Sequence, residues 1–290
     1  MGKACPPYKS VVVVGLGLIG GSVAKGLRHR FPGLEVIGVD PAEATLQAAL
    51  GDRAITRAYP ALPGRLEKGS LIVLATGLKG ILEALEALDG AVLEGVWVTD
   101  VTGLKRRVVA LVEQLGGSLA RAYVGSHPMS GREVRGYAAS MPDLFVGYPV
   151  FLTGCSFSEG EAYARLTAFW RALGGVVHRL EPVAHDRVVA WISHLPHVLS
   201  FILKRTIAEE WPGPEGASKA EGSGLQGMLR IAHSDPNIWS ELMIENRDFT
   251  LEALDAFLSK VHEAKESLLD GSLESLARSL TPANPREERP

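Results

Sequence analysis

The chain has 290 residues, 46% hydrophobic and 22% charged, with a formal net charge of −3. That is enough chain for two domains with proper cores, and no block of Lys and Arg marks a nucleic-acid binder. Its two cysteines, Cys5 and Cys155, are far apart and outside any CxxC, which excludes a disulfide framework or zinc ribbon and fits a reducing, cytoplasmic setting.

Lys3 and Lys9 precede an apolar run, Val11 to Ala24, in the manner of a secretory leader. Glycines at 15, 17, 20 and 21 interrupt the run and no cleavage site follows, so no leader is expected. No uninterrupted apolar stretch reaches the roughly 20 residues that span a bilayer, and no membrane contact is expected.

Ser10 followed by four valines reads as a buried strand, and Gly20–Arg30 as a helix. Glu35–Asp40 is the next strand and Pro41–Leu50 the next helix. Ser70–Ala75 and Gly95–Asp100 are further strands, each followed by a helical stretch. Val146–Thr153 and Val176–Leu180 read as two more, separated by a helix over Glu159–Leu173. This alternation predicts an α/β fold with a parallel sheet covered on both faces.

The pattern changes at Glu181-Pro182, after which no strand is expected. Pro182 suits the first position of a helix. Apolar residues then recur at Val188, Val189, Ile192, Leu195, Val198, Leu199, Ile202 and Leu203, with a helical period. Pro196 falls inside that stripe and predicts a kink. Ser234-Asp235-Pro236 reads as a helix start, and Thr250–Leu269 as a long amphipathic helix stopped by Asp270-Gly271. The last ten residues are too rich in proline and charge to pack. We therefore expect a Rossmann-type dinucleotide-binding domain over 1–181 and an all-α domain over 182–290.

Residues 15–20 read Gly-Leu-Gly-Leu-Ile-Gly, directly after a strand and opening a helix, and Asp40 ends the next strand. This is the context a dinucleotide fingerprint requires. Gly15 permits the tight turn, Gly17 admits the pyrophosphate and Gly20 lets helix and strand pack. Leu18 and Ile19 begin the helix, whose N–H groups suit phosphates. Asp40 would accept hydrogen bonds from the adenosine ribose and repel a 2′-phosphate, which favours NAD over NADP.

Three further segments stand out. Residues 126–133 read Ser-His-Pro-Met-Ser-Gly-Arg-Glu, 193–197 read Ser-His-Leu-Pro-His, and 230–239 read Arg-Ile-Ala-His-Ser-Asp-Pro-Asn-Ile-Trp. Together with the fingerprint and a strand ending Thr99-Asp100, the chain resembles the prephenate dehydrogenases from Val11 to about Leu269. The resemblance implies a Rossmann domain, a helical dimerisation domain and an active site in the cleft between them. It implies oxidative decarboxylation of prephenate to 4-hydroxyphenylpyruvate with NAD⁺, in tyrosine biosynthesis, by a homodimer. His127 matches the family's catalytic histidine, and imidazole titrates near neutrality. Arg230 matches the arginine that binds the ring carboxylate, for which a guanidinium offers a bidentate fork. Ser193, His194 and His197 lie within one helical turn and would serve the substrate's side chain. Glu133 and Trp239 match positions that line or gate the site. Asp100 either simply ends its strand or serves as a cofactor contact or a residue that orders its loop.

The family pattern Asp-x-x-Ser-x-Lys appears here as Asp100-Val101-Thr102-Gly103-Leu104-Lys105. The serine that assists the histidine is thus Gly103, and whether Thr102 or a water replaces it stays open. The segment Gly222–Leu229 also lacks an expected Arg-Asp pair. Arogenate dehydrogenase, with the same chemistry on an amino substrate, is the nearest alternative. A β-hydroxyacid dehydrogenase would want a lysine between Pro182 and Leu203, where there is none. A non-catalytic NAD-binding sensor could dispense with His127 and Arg230. His194 and His197 lack the HExxH arrangement and a third ligand, so no metal is expected. Nothing before Ser10 is long enough for a fused chorismate mutase, so the expected enzyme is monofunctional.

Overall fold

The computed structural model describes residues 6–64, 66–88, 95–158, 160–210 and 222–281. The tail from residue 282, Cys5 and Trp211 lie outside them. Its contacts divide the chain into two units, one of residues 1–186 and 230–236, the other of 187–229 and 237–290.

The first unit runs β1 (Ser10–Val14), α1 (Leu18–Arg30), β2 (Glu35–Val39), α2 (Glu43–Gly51), β3 (Arg57–Tyr59), β4 (Ser70–Leu74), α3 (Leu78–Ala87), β5 (Trp97–Asp100), α4 (Arg106–Leu115) and α5 (Gly117–Ala122). It continues through β6 (Gly125–Pro128), β7 (Pro149–Thr153), α6 (Gly160–Ala172), β8 (Val176–Arg179) and the start of α7 (Pro182–Val189). Strands β1 to β5 form one sheet in the order β3-β2-β1-β4-β5, every pairing parallel. β1 and β4 are central and buried on both faces, which is why they read as unbroken apolar runs. Alternate side chains enter different cores. Val11, Val13, Leu71 and Val73 pack with Leu27, Phe145 and Trp170, whereas Ile72, Leu74 and Val98 pack with Ile81, Val108 and Val112.

The remaining strands form a second sheet, in which β6 runs antiparallel to β7 and β7 parallel to β8. Sequence periodicity found β7 and β8 but neither β3 nor β6. β3 is a three-residue edge strand. β6 reads Gly-Ser-His-Pro, a poor strand former, and exists because tertiary pairing supplies what propensity does not. Ser126 anchors it: its hydroxyl lies 2.8 Å from Thr99 Oγ1 on β5 and accepts from Trp170 Nε1 at 2.8 Å.

The loop after β5 closes on itself. Both the Lys105 ammonium and the Asp100 carboxylate are fully buried. Lys105 Nζ donates to Asp100 Oδ1, which also accepts from Thr102 N, while Tyr123 OH donates to Oδ2. Burial lowers the pKa of Lys105 and the Asp100 charge opposes it; burial and Asp100 together raise that of Tyr123.

The second unit takes the rest of α7, then α8 (Leu195–Glu210), α9 (Ser223–Leu229), α10 (Pro236–Glu245), α11 (Arg247–Leu269) and α12 (Leu273–Leu280), with Pro236 itself belonging to the first unit. The distortion expected at Pro196 takes the form of a π-helical turn over Ala190–His194, in which Leu195 N donates to Ala190 O, five residues back. Pro196 brings no N–H to the α-helical ladder, so the preceding turn can widen at little loss. α11 begins three residues before the expected Thr250 and ends at Leu269, capped by Asp270 and followed by Gly271 at φ +66°. No helix of the described residues is long and apolar enough to cross a membrane.

Removing one partner of a buried ion pair typically costs about 3–5 kcal/mol, because the other charge is stranded. Lys105→Ala is therefore expected to destabilise the protein by about that amount. Chemical unfolding checks it, and a loss under about 1 kcal/mol would mean the loop does not depend on the pair.

Candidate active site

The turn from β1 into α1 requires its glycines. Gly15 has φ +89°, and a Cβ there would stand 2.8 Å from the Ala75 carbonyl oxygen. A Cβ on Gly20 would fall 1.9 Å from Gly15 O. On Gly17 it would meet nothing within 4 Å, so the backbone there faces open space. No side chain caps α1 at this end, which begins with Leu18 and Ile19, both half-buried. Asp40 accepts from Leu16 N through Oδ2 and from Ala42 N through Oδ1, each at 2.9 Å. A carboxylate has about four acceptor positions, so capacity for hydroxyl groups remains. An open glycine backbone, an uncapped helix start and an acid at the end of β2 fit a dinucleotide.

Asp100 lies at the carboxyl end of β5, but both of its oxygens are taken by Lys105, Thr102 and Tyr123. Its carboxylate thus ties the loop after β5 to Tyr123. Thr102 is buried and joins this network through its backbone N–H.

His127 sits on β6, against the same loop. A Cβ built on Gly103 would lie 3.6 Å from His127 Nε2 and 3.7 Å from Cε1, in ordinary contact with that edge of the ring. On the other edge, His127 Nδ1 lies 2.9 Å from His185 Nε2, and His185 Nδ1 lies 2.8 Å from Asp186 Oδ1. His185 and Asp186 are both buried. Burial lowers the pKa of His185, against the opposing effect of Asp186. Burial alone would raise that of Asp186, but hydrogen bonds from His185 and from the Arg106 and Lys105 backbones bring it below the usual carboxylate range.

Glu133 and Arg230 form an ion pair within the first unit, Arg230 Nη1 donating to Glu133 Oε1. A second pair, Arg135 with Asp235 at 2.5 Å, joins the same two segments. The Arg230 side chain is 66% exposed. Segment 230–236 thus belongs by its contacts to the first unit, although it lies inside the helical half of the sequence.

Ser193, His194, His197 and Trp239 are grouped in the second unit. His194 is buried, its Nδ1 3.2 Å from Thr250 Oγ1 and 3.4 Å from Asn246 Nδ2. His197 donates from Nδ1 to Ser193 O at 2.8 Å and stacks on Trp239, ring centroids 3.4 Å apart. Ser193 and His194 fall in the π-helical turn, a local geometry often found where helices carry function. Among the described residues no group of three or more His, Cys, Asp or Glu could hold a metal ion.

Sequence reasoning missed His185 and Asp186. The available signal was a His-Asp pair in the opening turns of α7, just ahead of the apolar stripe.

A glycine turn heading a parallel sheet, an acid at the end of the next strand and a histidine by the carboxyl end of β5 define a dinucleotide-dependent oxidoreductase. Residues 23–179 match the model of the prephenate dehydrogenase nucleotide-binding domain, and 181–282 that of the prephenate dehydrogenase dimerization domain. The chain belongs to the prephenate dehydrogenase family and is an NAD-dependent oxidoreductase. It is 27% identical to cyclohexadienyl dehydrogenase from Zymomonas mobilis, over 90% of this chain and 89% of that one. With prephenate dehydrogenase from Bacillus subtilis it shares 28% identity, over 93% of this chain and 72% of that one. The solved prephenate dehydrogenase from A. aeolicus, in complex with hydroxyphenyl propionate and NAD⁺, matches with a TM-score of 0.84 at 28% identity, over 94% of each chain. Arogenate dehydrogenase from Synechocystis matches with a TM-score of 0.78 at 29% identity, over 93% of this chain and 96% of that one.

Replacing Asp40 with Ser removes the charge that would oppose a 2′-phosphate. The variant is expected to narrow the preference for NAD⁺ over NADP⁺, read as the ratio of kcat/KM for the two cofactors. A wild-type protein that already prefers NADP⁺ would overturn this role for Asp40.

Proposed function

We propose that the protein oxidatively decarboxylates prephenate to 4-hydroxyphenylpyruvate in tyrosine biosynthesis, as a cytoplasmic homodimer. The observation that carries this reading is His127. Its ring lies against the loop that ends β5, and ligands of open α/β sheets bind outside the carboxyl ends of the strands. The Aquifex relative was solved with NAD⁺ and an aromatic acid, which supports the same classes of ligand here.

Bound NAD⁺ supplies the hydride acceptor; Gly15, Gly17, Leu18, Ile19, Gly20 and Asp40 would hold it. His127 accepts the proton of the C4 hydroxyl as the C4–H bond breaks. When the ring carboxylate leaves as CO₂, its bonding pair enters the ring, and His127 returns the proton to the oxygen that becomes the phenol. Arg230 positions that carboxylate. Its contribution is orientation rather than tight ground-state binding, since the charge it holds must depart. Glu133 keeps the guanidinium in place beforehand. Ser193, His194 and His197 would meet the pyruvyl side chain, with Trp239 bracing His197.

Arogenate is the second reading, favoured by the likeness to the Synechocystis enzyme. It replaces the side-chain ketone with an ammonium, which imidazoles and a hydroxyl suit less well. Absorbance at the NADH band, with NAD⁺ and either prephenate or arogenate, separates the two. No turnover of either would leave a non-catalytic NAD-binding protein.

General acid–base help is typically worth about 10²–10⁴-fold, so His127→Asn should lose turnover on that scale and keep NAD⁺ binding. Arg230→Ala should raise KM for prephenate far more than for NAD⁺, by about 2–4 kcal/mol of lost charge-assisted contact. A fall in kcat of only a few-fold, or an unchanged KM, would remove the residue concerned from the mechanism.

The homodimer rests on apolar surface left bare by a single chain. On α11, Leu251, Leu258, Val261 and Leu268 are exposed, as are Leu273 and Leu280 on α12. Those two helices bury only Thr250, Ala253 and Ser267 between them. A two-fold partner is the commonest way to cover such a face. An obligate interface of this kind should bury more than about 2,000 Å². Light scattering at micromolar concentration should find twice the 31.0 kDa chain mass, and a monomer would sink the idea.

A further inference from the structure

The His127 imidazole is held from its Nδ1 edge by groups that take no part in the chemistry above. From this chain we infer that His185 and Asp186 are positioning residues for His127: they fix its tautomer with the lone pair on Nε2, and they stabilise the charge His127 gains with a proton. This rests on His127 being the base proposed above.

The tautomers follow in order from Asp186. Its Oδ1 accepts from Lys105 N at 2.8 Å, and its Oδ2 from Arg106 N at 3.0 Å and Arg106 Nε at 3.3 Å. These donors stand at the start of α4, where the helix dipole also favours a negative charge. Asp186 is therefore an ionised acceptor. An ionised carboxylate only accepts, so His185 Nδ1, 2.8 Å away, must carry a hydrogen. Burial holds His185 in its neutral form, and a neutral ring with hydrogen on Nδ1 has its lone pair on Nε2. That lone pair accepts from His127 Nδ1 at 2.9 Å. Neutral His127 then has its own lone pair on Nε2, the edge that faces Gly103.

The ring of His185 has little freedom to adopt another pose. It is fully buried, edge-on to His127 with centroids 5.1 Å apart and edge-on to Phe151 at 5.6 Å. Phe151 in turn pairs directly opposite His127 across β6 and β7. Position 103, being glycine, offers no side chain to hold the opposite edge of the His127 ring. When Nε2 takes up a proton, the imidazolium is linked through His185 to the Asp186 carboxylate, and no further proton has to move. This is the division of labour of a serine-protease triad, with one extra imidazole between base and acid.

Asp186 also supports the start of α4, so loss of activity on replacing it would not by itself separate positioning from structure. His185 separates them. His185→Phe keeps a somewhat larger aromatic ring at this position and leaves Asp186 its backbone donors, but offers His127 Nδ1 no acceptor. His185→Gln has an amide oxygen that can still accept. The full-length variants His185→Phe, His185→Gln, Asp186→Asn and His127→Asn are to be compared for melting, kcat, both KM values and the pH profile of kcat/KM.

His185→Phe should fold and keep its KM for NAD⁺, with kcat down by about 10²-fold, within the range of general-base help. The base must be unprotonated to work, so the acid limb of the profile reports its pKa. Losing the link to Asp186 destabilises the imidazolium, lowers that pKa and moves the limb to lower pH. The charged and titratable groups packed around the pair are Asp186, Arg106, Lys105 and Asp100, with His178 beyond Phe151. His185→Gln should recover part of kcat. Nitrogen NMR of histidine-labelled protein should place the hydrogen of neutral wild-type His127 on Nδ1, and in His185→Phe on a mixture of the two nitrogens. A folded His185→Phe with kcat and acid limb within about two-fold of wild type would overturn the proposal, while an inactive His127→Asn would leave the base reading standing. A fully active His127→Asn would overturn both. Should His185→Phe not fold, an unmoved limb in both His185→Gln and Asp186→Asn would be equally decisive against it.

Discussion

Lys105 joins three parts of the first unit at one buried point. Its ammonium bonds the Asp100 carboxylate at the end of β5, and its backbone N–H bonds the Asp186 carboxylate within α7. It also immediately precedes α4. Desolvating a charge costs several kcal/mol, so such a residue persists only where every partner is in place. The arrangement fixes the path of loop 100–105, and with it the surface on which the His127 ring rests. Shifting this loop would move Gly103 relative to one edge of the imidazole and Asp186 relative to the far end of the chain that holds the other.

The rest of the site follows from how β6 is attached. A Gly-Ser-His-Pro segment has little tendency to be a strand, yet the Ser126 hydroxyl is bonded to both Thr99 and Trp170 in the interior. Trp170 is itself held edge-on by Phe145 and Phe169. His127 is therefore carried on a strand one residue from a packed aromatic cluster. A side chain placed this way keeps little orientational freedom to lose.

The helical unit solves a different problem. Its described helices bury few residues, and the polar ones are placed with care: His194, Thr250 and Asn246 meet inside, and Ser200 bonds the Met228 carbonyl. Many of its large apolar side chains are exposed, among them Ile202, Ile244, Leu251 and Leu268. Such a unit holds a small polar cluster in register and exposes the apolar side chains of α11 and α12.

Much of the first unit was determined by sequence alone. Four valines in succession, an alternation of short apolar runs and helices, and a glycine pattern tied to Asp40 are local signals, because burial on both faces and positive φ constrain residue type directly. His127, Arg230 and the Ser-His-Leu-Pro-His segment were legible only as motifs; their spacing says nothing of what they touch. Tertiary structure alone decided that β6 is a strand, that Pro196 is accommodated by a π-turn, that both Asp100 oxygens are engaged, by its own loop and by Tyr123, and that segment 230–236 groups with the first unit. It also decided that His185 and Asp186 stand behind His127, which lies 58 positions before His185 in the chain. Contacts over that distance depend on how sheets and helices pack, and no local propensity or period records them.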